Sequence, residues 1–128
     1  MSNSHGYLLD THIFLWSLDE IKRLTKEVTN ILKDPRNRIF VSVATAWEIS
    51  IKHKKGKLPL RTTLDECFRK STFEILDIKL AHALNLDKLP MLHKDPFDRM
   101  LVAQAIVEKL MIITEDEKIK KYDVSVLA

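Results

Sequence analysis

Asp95-Pro96-Phe97-Asp98-Arg99-Met100-Leu101-Val102-Ala103-Gln104-Ala105 reads as the opening of a buried helix. Asp95 has the short acceptor side chain of an N-cap. Pro96 suits the first helical position, where the missing N–H costs nothing. The pattern continues to about residue 110. This first turn also carries two carboxylates, Asp95 and Asp98. Three more acids stand at comparable places. Asp10 ends the apolar run Tyr7-Leu8-Leu9, Glu48 lies early in a second helix, and Asp116 comes three residues after Met111-Ile112-Ile113.

Outward from there, short apolar runs alternate with helical patterns. Tyr7-Leu8-Leu9, Ile39-Phe40-Val41 and Met111-Ile112-Ile113 read as buried strands. Phe73-Glu74-Ile75-Leu76 reads as a less buried strand and Val124-Ser125-Val126 as an edge strand. Helical patterns cover residues 11–18, a segment capped by Thr25 and stopped at Asp34-Pro35, a segment from Thr45 to Gly56, one beginning at Thr63, and residues 79–86. A short charged helix is expected over 115–122. Thr45-Ala46-Trp47-Glu48 and Thr63-Leu64-Asp65-Glu66 both have capping-box spacing. The alternation predicts parallel βαβ units with right-handed crossovers, hence a three-layer α/β/α sandwich around a mostly parallel sheet. Residues 1–128 read as one domain, with residues 1–6 a polar lead-in.

Composition excludes several classes. A chain of 128 residues, 45% hydrophobic, with two Gly and four Pro, is neither disordered nor loop-rich. Cys67 is the only cysteine, so no internal disulfide forms and a reducing compartment is expected. No apolar run approaches the roughly 20 residues of a membrane span, and residues 1–6 lack the pattern of a signal peptide, so a cytoplasmic location is expected. The formal net charge of +3 permits nucleic-acid binding without demanding it. The cations group at Lys52, Lys54, Lys55 and Lys57, at Arg36 and Arg38, and at Lys118, Lys120 and Lys121. Each group is equally well read as a solvated helix end.

In an open parallel sheet, residues just past the strand ends collect along one edge. Asp10 and Asp116 follow strands and Glu48 and Asp98 lie on first turns of helices, so all four can face one crevice. Clustered carboxylates raise one another's pKa, and a cation relieves that. Oxygen ligands without cysteine or paired histidine select Mg²⁺ or Mn²⁺ over Zn²⁺. Each acid also has a plainer reading. Asp10 caps the following helix, Glu48 completes a box with Thr45, Asp98 answers Asp95, and Asp116 favours a helix start. Capping explains each acid singly but not the strand end before each. Thr11 and Thr114 can hold a water or a carboxylate, or can cap. Arg99 can meet a phosphate or an acid. His12 and His93 read first as surface or packing residues, Trp16 and Trp47 as core. A rival reading is a receiver-like binding module with an acidic Mg²⁺ pocket, whose acceptor would be Asp77 after the third strand. A catalytically silent relative is another.

Leu8-Leu9-Asp10-Thr11-His12, Trp47-Glu48-Ile49, His93-Lys94-Asp95-Pro96-Phe97-Asp98-Arg99 and Ile113-Thr114-Glu115-Asp116 together resemble the PIN-domain family, in particular its VapC-type toxins. The resemblance spans nearly the whole chain. It implies a Mg²⁺- or Mn²⁺-dependent endoribonuclease with an RNA substrate, whose acids map onto Asp10, Glu48, Asp98 and Asp116, with Thr114 as a hydroxyl neighbour. It also implies a homodimer silenced by a cognate VapB-type antitoxin. Glu115 and Glu117 flank Asp116 and leave open which acid completes the set.

Overall fold

The computed structural model describes residues 6–127. The chain runs β1 (Tyr7–Leu9), α1 (Thr11–Asp19), α2 (Lys26–Lys33), β2 (Ile39–Ser42), α3 (Val43–Lys54), α4 (Leu64–Lys70), β3 (Glu74–Leu76), α5 (Leu80–Lys88), α6 (Pro96–Glu108), β4 (Met111–Ile113) and β5 (Val126–Leu127). Single 3₁₀ turns lie at Ile21–Arg23 and Ile119–Lys121. All strand pairings are parallel, in the order β3-β2-β1-β4-β5. The predicted α/β sandwich is the observed one.

The pleat sorts the core. Leu8 stands beside Phe40 and Ile112, and Leu9 beside Val41 and Ile113. Successive side chains point to opposite faces. Leu8 and Ile112 therefore pack with Leu101, Val102 and Ala105 of α6, while Leu9, Val41 and Ile113 pack with Ile13 and Phe14 of α1, Val28 of α2 and Ile49 of α3. Each row is apolar on both faces, as a central parallel sheet requires. The interior also holds a polar junction. Ser42 Oγ donates to Gln104 Oε1 at 2.6 Å, and Gln104 Nε2 donates to the Asp77 carbonyl at 3.3 Å. The fully buried Gln104 thus ties α6 to the ends of β2 and β3.

Several boundaries differ from the sequence reading. α3 starts at Val43, because Ser42 at the end of β2 already has the extended backbone of a cap and accepts from the Ala44 N–H at 2.9 Å. Thr45 is therefore inside the helix, and Glu48 is not its capping partner. Residues 115–122 form no α-helix. Asp116 Oδ1 accepts from the Lys118 N–H at 2.8 Å, a side-chain turn that competes with helical bonding, and only the 3₁₀ turn follows. The last strand begins at Val126 rather than Val124. Trp47 is 59% exposed, not core. It lies about 200° around α3 from Ile49, the residue the sheet buries.

The lead-in also ends sooner than expected. Residues 1–5 lie outside the described part, whereas Gly6 joins the sheet, its carbonyl accepting from the Met111 N–H at 3.0 Å. Its φ is +141°, and a Cβ there would stand 2.7 Å from the Arg38 carbonyl oxygen. Gly6→Ala is expected to cost about 1–3 kcal/mol, read as a lower urea midpoint. Gly56→Ala, at φ +72° with open space around it, should cost only about 1 kcal/mol. Equal midpoints for Gly6→Ala and the parent would refute the steric argument.

Candidate metal centre

Asp10 closes β1 and caps α1 at once. Its N–H donates to the Ile113 carbonyl at 3.1 Å, extending the ladder one residue past the strand. Its Oδ1 accepts from the Ile13 N–H at 2.9 Å, and its Oδ2 accepts from the Thr114 hydroxyl. Burial raises the Asp10 pKa, while the bonds from Thr114 and Ile13 oppose the rise. Thr114 also accepts from the Asp116 N–H at 3.0 Å, so one hydroxyl group links the first and last acids.

Glu48 comes from the second turn of α3 and is 3% exposed. Its Oε1 accepts from the Thr11 hydroxyl at 2.6 Å and its Oε2 from Lys52 Nζ at 2.5 Å. The ammonium gains from this pairing, and the Lys52 pKa is raised. Asp98 sits on the first turn of α6, behind the cap Asp95, whose Oδ1 accepts from the Phe97 and Asp98 N–H groups. Asp98 Oδ2 lies 2.8 Å from His93 Nε2, and Asp116 Oδ2 lies 3.6 Å from the same nitrogen. The Asp98 pKa is pushed up to about 7, first by burial and then by the charge of Asp95, with Glu48 and Asp116 adding to it and His93 opposing.

All four acids line one cavity of about 280 Å³, together with Thr11, His12, Lys52, His93, Asp95 and Lys118. Ligand atoms of His93, Asp98 and Asp116 lie within 4.8 Å of one another. The ring of His93 serves better as a support than as a ligand. Its Nδ1 faces the Asp95 N–H at 3.4 Å, which leaves Nε2 as the nitrogen that carries hydrogen and donates to Asp98.

Other expectations resolve by position. Glu117 pairs with Lys120 at 3.0 Å, its side chain 81% exposed, and Glu115 lines the adjoining groove. Asp116 is the member of that trio on the acid cavity. Among the described residues Arg99 forms no ion pair with an acid, and it does not line the acid cavity. Its guanidinium donates to the Pro90 carbonyl and to Tyr122 Oη, each at 2.9 Å. Tyr122 Oη in turn accepts from the N–H of His93 at 3.0 Å, so Arg99 acts by fixing the loop that carries His93. Asp77, the receiver-like acceptor, lines a separate cavity with Arg38 and Lys79. Two residues at the cavity were read first in plainer roles, Lys52 within a cation group and His93 as a surface or packing residue. Lys52 stands four after Glu48, the spacing of a helix ion pair, and was legible on that ground. His93 lies outside any periodic element, so its nearness to the crevice was legible but its contact with Asp98 was not.

A sequence profile of the PIN domain matches residues 7–125. Among solved structures, a chain of VapBC2 from Rickettsia felis bound to a DNA fragment from the promoter superposes with a TM-score of 0.71 at 19% identity, covering 94% of this chain and 96% of that one. A toxin–antitoxin complex from Klebsiella pneumoniae gives 0.65 at 21% identity, with 96% and 97% covered. DNA-bound VapBC from Salmonella typhimurium gives 0.69 at 14% identity, with 95% and 96% covered. A comparison with curated protein sequences finds no match. At these identities the structural likeness is one of fold. The profile spans nearly the whole chain, and the chain belongs to the PIN domain family.

Proposed function

We propose that this chain is a divalent-metal-dependent endoribonuclease and the toxin half of a toxin–antitoxin pair. The observation that carries the reading is the gathering of Asp10, Glu48, Asp98 and Asp116 on one small cavity. The donors are carboxylate oxygens with no thiolate among them, which suits Mg²⁺ or Mn²⁺. An Asp98 pushed up to about 7 is also a group that a nearby cation would bring back to its ionised form. In this reading the four acids hold the ion. When bound, the ion acidifies a water and offsets charge on the phosphodiester.

The chain's own residues do the rest. Thr114 and the Ile13 N–H orient Asp10, Thr11 and Lys52 orient Glu48, and His93 orients Asp98. Lys52 and Lys118 line the cavity and meet phosphate oxygens of the incoming strand. Hydrolysis leaves a 5′-phosphate and a 3′-hydroxyl. Fold neighbours solved as toxin–antitoxin complexes support a VapB-type partner, and a homodimer acting in the cytoplasm belongs to the same reading. No helix among the described residues is long and apolar enough to cross a membrane. A receiver-like module is disfavoured, because Asp77 stands apart from the acid cavity.

Asp98→Asn keeps the size of the side chain and the Asp95 cap while removing a charge. It is expected to lower Mn²⁺-dependent RNA cleavage by about 10²–10³-fold with thermal stability held or raised. EDTA should abolish cleavage by the parent. A variant that still cuts would remove Asp98 from the site, and a parent that binds Mn²⁺ without cutting any RNA would favour the silent relative.

The raised Asp98 pKa has a sign. In the metal-free protein its folded value of about 7 exceeds the ordinary 3.8, so the neutral acid is the form the fold prefers. Its stabilising contribution is full below the ordinary value and is lost as pH rises toward 7. An ion must displace that proton, so Mn²⁺ affinity should climb roughly tenfold per pH unit below 7 and then level off. Calorimetric titration between acidic and neutral pH checks this, and a flat profile would count against Asp98 as a ligand.

A further inference from the structure

The acid cavity is not closed. Asp10, His12 and Asp116 line it and also line a second depression, which Ile13, Trp16 and Arg23 complete. That depression in turn shares His12, Trp16 and Arg23 with a third, which reaches Arg61. The three depressions adjoin one another along α1, and His12 lines all of them. His12 and Trp16 are one helical turn apart on α1, their rings 6.0 Å between centroids and inclined at 48°. Arg23 lies over the indole of Trp16, its guanidinium carbon 4.3 Å from the ring centroid. Glu20, 3.4 Å from the Arg23 guanidinium, helps hold it there.

From this geometry, and resting on the nuclease reading, we infer that the His12–Trp16–Arg23 groove is a subsite for an unpaired base of the RNA next to the phosphate at the acids. A strand leaving the acid cavity past Asp10 and Asp116 would meet the adjoining depression next. There it meets the imidazole of His12 and the guanidinium of Arg23, whose outer plane, backed by the Trp16 indole, stacks on a base and also attracts the phosphate beyond it. Carboxylates are present as well: Glu115 on the second depression, and Asp19 and Glu20 on the third. With Arg23 and Arg61 against them the groove is not a strongly cationic track, so stacking on exposed bases governs the contact.

The test uses the fact that Trp16 and Trp47 are the only tryptophans. Trp47→Phe leaves Trp16 as the sole reporter, and Trp16→Phe leaves Trp47. In the Asp98→Asn background, which prevents cutting, a single-stranded oligoadenylate 12-mer is expected to quench the emission of Trp16 and not that of Trp47. Arg23→Gln and Trp16→Ala should each weaken oligoadenylate binding roughly tenfold, and Trp16→Phe should restore most of it. All should bind an abasic ribose-phosphate 12-mer alike. Arg23→Gln decides the matter if Trp16→Ala proves unfolded by circular dichroism. Unquenched Trp16, or unchanged affinity in Arg23→Gln, overturns the subsite. The nuclease reading is scored separately, by Mn²⁺-dependent cutting in the otherwise native protein. A chain that cuts without Trp16 quenching keeps that reading and loses the subsite. A chain that is quenched but never cuts keeps the subsite as an RNA-binding groove and loses the nuclease.

Discussion

The fold has to hold four carboxylates around one cavity against their own repulsion. Two like unit charges about 5 Å apart repel by roughly 3 kcal/mol at an effective dielectric near 20. That is a large fraction of the roughly 5–15 kcal/mol that stabilises a domain. The structure meets the repulsion group by group. Asp10 accepts a backbone N–H and a hydroxyl. Glu48 accepts a hydroxyl and an ammonium. Asp98 meets an imidazole N–H, and part of its charge is removed by protonation. Asp116, the most exposed of the four, relies on solvent and on the turn it closes with Lys118.

Topology decides where that cluster forms. From β1 the chain moves outward on one side through β2 and β3, then returns to the other side of β1 for β4 and β5. The direction of winding therefore reverses between β1 and β4, and loops leaving those neighbouring strands part and open a crevice. Asp10 follows β1 and Asp116 follows β4, one on each wall. Thr114, the first residue after β4, bonds to both and sets the width of the opening. The helices that bear Glu48 and Asp98 pack against each other and deliver their acids from the remaining sides.

Much of this was legible in the sequence, for reasons tied to particular residues. The strands 7–9, 39–41 and 111–113 were readable because a strand buried on both faces must be wholly apolar. Asp95 and Pro96 marked the start of α6 because cap chemistry is local. Where reading failed, a non-local or competing bond had won. Thr45 and Glu48 have capping-box spacing, yet the strand delivers Ser42 to the cap position first, and Glu48 is drawn to Thr11, a partner 37 residues away. Residues 115–122 have helical composition, yet the Asp116 side chain closes its own turn. Asp10, Glu48 and Asp116 were legible because each follows a strand in the chain, whereas Asp98, which follows α5, was legible from its place on the first turn of α6. The roles of His93 and Arg99 were not, because both depend on a loop whose path only Tyr122 reveals.

Each acid admitted a plain structural reading beside the chemical one, and in the folded chain the two are not rivals. Asp10 does cap α1, with Oδ1 on the Ile13 N–H. That bond is also what fixes the carboxylate rotamer so that the group faces the cavity. Asp95 caps α6, and the helix start it fixes is what presents Asp98 one turn later beside His93. Arg99 follows on the same turn and, through Tyr122, braces His93 from behind. The segment Asp95-Pro96-Phe97-Asp98-Arg99 therefore sets both partners of the Asp98–His93 contact. Precise placement of charged groups needs side chains whose own freedom is already spent, and local capping bonds supply it at little cost. A carboxylate that both ends a strand and begins a helix is held at two points of the backbone, and such a residue suits a site where position matters more than reach.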